Sequence, residues 1–283
     1  MTLWNEFAGC ETSFVAGRGG IRTRIVLGGP EKSDRRPVLM LHGRGGHLET
    51  FRYNLPEIAK TRTAIAVDLL GHGLTAQSGT TYSVAEIARH LGSLVTELDD
   101  GRGFDLVGQS LGAWAGILAA LAGAPLHHMA LIEPAGFQPH GDRMADDGVK
   151  KAFQQGGRAF RAPTTETVRL RFAQLLHNPA ACDDEMVELR RRLYSLPGAA
   201  DVHQAVRRAD NDPHVITAEQ LRRLGRPLLL IRGEHGHIPL PVFREAAGAV
   251  EGSVVTSVSN AKQWPHYEQP RTVNKHIIDH FER

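Results

Sequence analysis

Residues 104–123 read FDLVGQSLGAWAGILAALAG. A short apolar run, FDLV, meets a Gly-x-Ser-x-Gly pentapeptide at 108–112 and passes straight into an apolar stretch that is helical in length and ends at Gly123. A strand that turns directly into a helix leaves its corner residue on strained backbone. Small neighbours at 108 and 112 let the chain pass, so Ser110 is presented outward as a nucleophile. The pentapeptide alone is a weak signal. Its position between strand and helix gives it weight.

On both sides of this corner the chain alternates. PVLML (37–41), TAIAVD (63–68), FDLVG (104–108), HMALIE (128–133), PLLLIR (227–232) and SVVTSV (253–258) are short apolar runs with Gly or Pro nearby, as buried parallel strands are. SVAEIARHLGSLVTELDD (83–100) has helical periodicity, with Ser83 and Glu86 spaced as a capping box. LPVFREAAGAV (240–250) and RTVNKHIIDHF (271–281) are amphipathic. Alternation of this kind predicts an α/β fold, a mostly parallel sheet with helices on both faces. Residues 137–212 break it, with helical stretches and no convincing strand. They read as an inserted helical cap over a core of 1–136 and 213–283.

Composition narrows the partners. The 283 residues carry a formal charge of +2 and no basic run with interleaved aromatics, which argues against nucleic acid. The N-terminal stretch lacks the pattern of a signal peptide, and no run reaches the ~20 apolar residues of a membrane span. A cytoplasmic protein with no membrane association is expected. Cys10 and Cys182 read as two reduced thiols. His235 and His237 have H-x-H spacing, and His42, His127 and His128 add imidazoles, but no carboxylate or cysteine joins them at metal spacing. No metal and no cofactor are expected. The expected partner is a small-molecule substrate, and oligomeric state is left open, a homodimer included.

His42-Gly43-Arg44-Gly45-Gly46 follows the PVLML run. Beside a serine corner, such a loop supplies one backbone N–H of an oxyanion hole. Arg44 is the expected donor, with Gly45 second, and Leu111 supplies the other N–H. The loop fits no phosphate-binding pattern. Asp68 and His72 in DLLGHG are expected to brace a strand-to-loop turn. Phe153, Phe160, Phe172, Leu175 and Leu176 are expected on the cap underside.

HGRGG (42–46), DLLGHG (68–73), GQSLG (108–112) and WPHYEQP (264–270), in this order, resemble the α/β-hydrolase superfamily. The resemblance runs from residue 22 to the C-terminus. LLHNPAACDDEMVELRRRLYSLPGA (175–199) resembles the cap of the meta-cleavage-product hydrolases, which hydrolyse a carbon–carbon bond in vinylogous diketone acids. That resemblance implies that Arg190 binds the substrate carboxylate. It also puts Gly43, Gly45, Gln109, Trp264 and His266 around the substrate.

Three positions depart from the pattern. Gln109 stands where this branch usually has Asn. In RGEHGHIPLP (232–241), Gly236 takes the place of the acid in the usual G-x-x-D, with Glu234 adjacent. Glu133, at the end of the preceding apolar run, is the expected acid instead, as in some α/β-hydrolases. A carboxylate at the end of an apolar strand needs a partner. Lastly, Gln263 occupies the catalytic histidine position, preceded by Lys262 instead of Gly.

Glutamine can hold a hydrogen bond but cannot take a proton from Ser110 near neutral pH. Four readings stay open: an inactivated variant; a base supplied by His266, His235 or His237; a lyase, cyclase or isomerase that needs no serine activation; or a ligand-binding pseudo-hydrolase, as hydrolase-fold hormone receptors are. The leading expectation is a serine hydrolase of a carbon–carbon or ester bond in an acidic aromatic or polyketide-like molecule. Ser110, Glu133 and Gln263 are its three catalytic positions.

Overall fold

The fold is described from a computed structural model over residues 3–17, 19–79 and 81–283. Eight strands form one sheet: β1 Glu11–Ala16, β2 Arg22–Gly28, β3 Val38–Leu41, β4 Ala64–Val67, β5 Phe104–Gln109, β6 Leu126–Ile132, β7 Leu228–Gly233 and β8 Val254–Val258, in the order β1-β2-β4-β3-β5-β6-β7-β8. All six apolar runs are strands, and they pair in parallel. β1 and β2 are antiparallel additions at one edge. Their sequences, ETSFVA and RTRIVLG, are not continuous apolar runs, because β1 is half wet and β2 carries Arg22 and Arg24.

The central strands are buried on both faces, and their side chains alternate between two cores. Leu39, Leu41, Leu106, Met129, Leu131, Leu228 and Leu230 face one side, with the helices Val84–Leu98 and Leu111–Leu121. Val38, Met40, Val107, Ala130, Ile132, Leu229 and Ile231 face the other, with Phe51, Val273 and Ile277.

Between β6 and β7 the chain leaves the sheet for the helices Asp147–Arg161, Thr165–Leu175, Asp184–Tyr194 and Ala199–Arg208. Asp146, Thr164 and Asp183 each cap one of the first three, accepting the N–H of the third residue on. Phe160, Phe172, Leu176 and Tyr194 form this insertion's own core together with Trp264 and Tyr267 from the C-terminal segment.

Two polar ties fix the insertion to the sheet. Arg52 donates to Asp183 at 2.9 Å. Glu268 accepts the N–H groups of His177 at 2.7 Å and Asn178 at 3.0 Å, and its second oxygen accepts the N–H of Lys262 at 2.8 Å. The Glu of W-P-x-x-E therefore locks the loop carrying residue 263 against the insertion. Asp68 braces the turn after β4, accepting the N–H groups of Leu48 and Leu74, both at 2.8 Å, and pairing with Arg24 at 2.7 Å.

Candidate active site

The corner at residue 110 is strained as the pentapeptide requires. Ser110 has φ 49° and ψ −110°, and its N–H donates to Ile132 while its carbonyl accepts from Trp114 and Ala135. The two glycines are sterically enforced. A Cβ on Gly108 would lie 2.6 Å from Ala113 Cα, and one on Gly112 would meet the carbonyls of Leu41 and His42, the latter at 2.7 Å. Only a bare Cα lets β3 and β5 come this close to the helix. Ser110 and Glu133 (φ 42°) are two of the four non-glycine residues with positive φ among those described. Strain of this kind persists where the surroundings over-determine it.

Ser110 opens onto a pocket between sheet and insertion. Gly43, Arg44, Gly46, Gln109, Leu111 and Trp114 line it from the sheet side, and Arg143, Val149, Phe153, Arg171 and Leu175 from the other. Gln263, Trp264 and His237 complete the wall. Thus Ser110, Gln109, Gly43, Arg44, Leu111, Gln263 and Trp264 come together as the sequence suggests. Phe153 and Leu175 reach the pocket, whereas Phe160, Phe172 and Leu176 pack inside the insertion.

The loop after β3 is held from below and above. Leu69 N–H donates to His42 Nε2 at 3.1 Å, so His42 Nδ1 carries the proton and donates to the Gly43 carbonyl at 2.8 Å. Burial holds this imidazole well below its usual pKa, in the neutral form. From above, Tyr194 donates its hydroxyl to the Gly45 carbonyl at 2.7 Å. Gly45, with φ +67°, therefore positions the loop from behind the pocket wall. Among the described residues the N–H groups of Arg44 and Leu111 have no backbone acceptor, as an anion cradle needs.

Glu133 is fully buried. Its Oε1 accepts the Gly233 N–H at 2.7 Å, and the Ile238 N–H is a weaker neighbour. Oε2 has no hydrogen-bond partner among the described residues. Burial outweighs these contacts and pushes the carboxyl up to about 8. A Cβ on Gly236 would overlap this carboxylate, so the side chain from β6 fills the space of residue 236. Gly233 in turn packs its bare Cα against the carbonyls of Ala261 and Lys262. The carboxylate is thus one backbone segment away from the loop that carries residue 263. Glu234 points elsewhere, its Oε2 accepting the Asn260 N–H at 3.2 Å.

Gln263 is anchored through its backbone. Its N–H donates to the Leu175 carbonyl at 2.9 Å, and its own carbonyl accepts from Gln109 Nε2 at 3.4 Å.

Besides Gly45, two expected ligand residues, Arg190 and His266, do not line the pocket. Arg190 is buried with its guanidinium 4.7 Å from the ring centroids of both Phe172 and Trp264. Its Nε donates to His47 Nε2 at 3.2 Å, and His47 Nδ1 donates to Glu49 at 2.8 Å. Arg190 is therefore one ring behind the wall that Trp264 forms. His266 is a core imidazole packed 5.1 Å from Phe51, with both nitrogens unpartnered among the described residues and burial pushing it down to about 3. It cannot hand a proton to or from Ser110 from that place. Of the H-x-H pair, His235 is exposed and stacks on His177, while His237 lines the pocket. Arg143 and Arg171 were not signalled by the sequence: each sits in an unremarkable helical stretch, and only the folded insertion aims them inward.

Geometry of this kind, a serine elbow after β5, an amide-lined loop after β3 and a helical insertion after β6, defines a hydrolase fold. Residues 38–276 match the alpha/beta hydrolase family, and the chain belongs to it. It is 25% identical over 268 residues to a 2-hydroxy-6-oxo-2,4-heptadienoate hydrolase of Pseudomonas putida, covering 89% of this chain and 90% of that protein. A dihydrolipoyllysine-residue acetyltransferase component of the acetoin cleaving system of Pseudomonas putida is 28% identical over 163 residues, but the match spans only 41% of that protein. Among solved structures, a meta-cleavage product hydrolase from Pseudomonas fluorescens superposes with a TM-score of 0.81 at 19% identity, over 95% of this chain and 97% of that one. No helix among the described residues is long and apolar enough to cross a membrane.

Proposed function

We propose that this pocket is the site of a serine hydrolase that cleaves a carbon–carbon or ester bond in a small acidic molecule, and that Gln263 leaves its nucleophile without a base. The strained Ser110 corner carries this reading: a serine held at φ 49°, with glycines enforced at 108 and 112, lines the pocket wall. The heptadienoate hydrolase relative, by its name, acts on an acid, and it aligns over nearly its full length.

In this scheme Ser110 Oγ adds to a substrate carbonyl carbon. The carbonyl oxygen gains charge and is held by the N–H groups of Arg44 and Leu111. The bond to the leaving carbon or oxygen then breaks, and the leaving group takes a proton. Water finally cleaves the acyl-serine, its OH going to the acyl carbon and its proton back to Ser110. Both proton transfers need a group that titrates near neutral pH. The Gln263 amide does not. In this reading Glu133, whose Oε2 has no partner among the described residues and which lies beside Gly233, is the acid that would orient an imidazole at 263. Without that imidazole it stays protonated at neutral pH.

The test is turnover of small activated esters and of a vinylogous diketone acid by this chain and by Gln263→His. We expect the histidine form to gain at least about a hundredfold in kcat/KM. Equal rates for the two forms would sink the reading.

A further inference from the structure

Three of the four most buried arginines are paired with acids, the fourth, Arg190, meeting His47 instead. Arg24 meets Glu49 and Asp68, Arg52 meets Asp183, and Arg62 meets Asp105. Those on the pocket wall are not. Arg44 comes from the loop after β3, Arg143 from the segment after β6, and Arg171 from the helix Thr165–Leu175. All three line the pocket, whose wall holds no Asp or Glu. No ion pair forms at any of them among the described residues. Arg171 spends one Nη1 hydrogen on the Ala152 carbonyl at 2.7 Å, and Arg44 lies 4.9 Å over the Phe153 ring. A fourth guanidinium, Arg207, stacks on the same ring at 3.4 Å.

Like charges gathered in a half-buried pocket repel one another strongly, since the local dielectric is well below that of water. Burial and the neighbouring guanidiniums pull Arg44 down to about 9 and Arg171 down to about 10. Both still carry their charge at neutral pH. Glu133 acts on Arg143 from beneath, but no acid acts on Arg44 or Arg171, so the three elements bring more positive than negative charge to the pocket. A guanidinium fork matches a carboxylate bidentately, and three forks from different directions match more than one.

We propose that the pocket above Ser110 binds a substrate bearing two carboxylates, gripped by Arg44, Arg143 and Arg171. The inference rests on reading this pocket as the substrate site. It names a subsite separate from Arg190, which is behind the Trp264 wall.

The experiment is calorimetric titration of the intact chain in low-chloride buffer with succinate, propionate and inorganic phosphate. Succinate should bind with a Kd below about 1 mM and about tenfold more tightly than either other anion. Arg143→Gln and Arg171→Gln should each weaken succinate about tenfold, while Arg158→Gln, on the exposed face of the insertion, should not change it. The same two pocket variants should melt higher than the parent without ligand, because a repulsion is removed. Succinate binding no tighter than propionate or phosphate, or pocket variants that bind as the parent does, overturns the proposal. Titration needs no reaction at Ser110. Loss of binding with a reactive Gln263→His form therefore defeats this inference alone, and binding without reactivity defeats the hydrolase reading alone.

Discussion

Gly236 and Glu133 share one space: a side chain at 236 would overlap the Glu133 carboxylate, which comes from the neighbouring strand. The family pattern puts an acid on the loop after β7. Here that loop is bare at 236, and the carboxylate after β6 fills the place, fixed by the Gly233 N–H at 2.7 Å. The Glu133 carboxylate thus lies where a side chain at 236 would be, next to Gly233, which packs on the 261 and 262 carbonyls.

The Glu133 carboxyl, held up to about 8, makes a definite stability prediction. Its raised value means the native state holds this proton where the unfolded chain has already lost it. The stability it contributes is full below the ordinary carboxylate range and is lost as pH rises through about 8. Glu133→Gln cannot lose that proton. Its melting temperature should fall less steeply than the parent's as pH rises to 8, measured by thermal denaturation across that window. Parallel slopes would show that Glu133 is already ionised at neutral pH.

Glycine substitutions should split by position. Gly112→Ala forces a Cβ against two backbone carbonyls that cannot retreat and should cost about 3 kcal/mol. Gly92→Ala, inside the helix Val84–Leu98 with nothing within 4 Å, should gain about 0.5–1 kcal/mol. Urea denaturation of the two variants checks both signs.

Arg190 is read here as a structural cation. Arg190→Ala removes its stacking on Phe172 and Trp264 and leaves His47 Nε2 without its donor. We expect a stability loss of about 3 kcal/mol with succinate affinity nearly unchanged. Stability kept with affinity lost would make Arg190 a ligand after all.

Glu268 ties the 263 loop to the insertion through three backbone N–H groups. Glu268→Ala should cost about 2 kcal/mol and raise amide hydrogen exchange at 175–178 and 260–264 above that of the sheet. Uniform exchange across the chain would deny the tie.

The sequence carried the sheet because five of its strands, β3 to β7, are buried on both faces and read as apolar runs, and the edge strand β8 keeps three valines. β1 escaped because an edge strand with wet positions mixes Thr and Ser into its pattern, and β2 because its Thr23 and Arg24 are buried polar residues, Arg24 paired with Glu49 and Asp68. The places of Ser110 and Gln263 on the pocket wall and of Glu133 beside Gly236 were legible because each rests on local order, a strand end followed by a loop. The arginine wall was not. Arg44, Arg143 and Arg171 are 127 residues apart at the extremes, and their convergence is set by how the insertion folds back, which leaves no mark on short-range spacing. Arg190 was expected at the pocket from resemblance to a hydrolase cap, and a matching sequence position does not tell pocket from core.

The measurement that tests the central claim most directly is intact-mass labelling of Ser110 by a fluorophosphonate, on this chain and on Gln263→His. The expected result is rapid single-site labelling of the histidine form, lost in Ser110→Ala, with this chain labelled at least about a hundredfold more slowly. Folded histidine protein that fails to label would contradict the account, because Ser110 would then be no nucleophile, and Gln263 would not be what silences it.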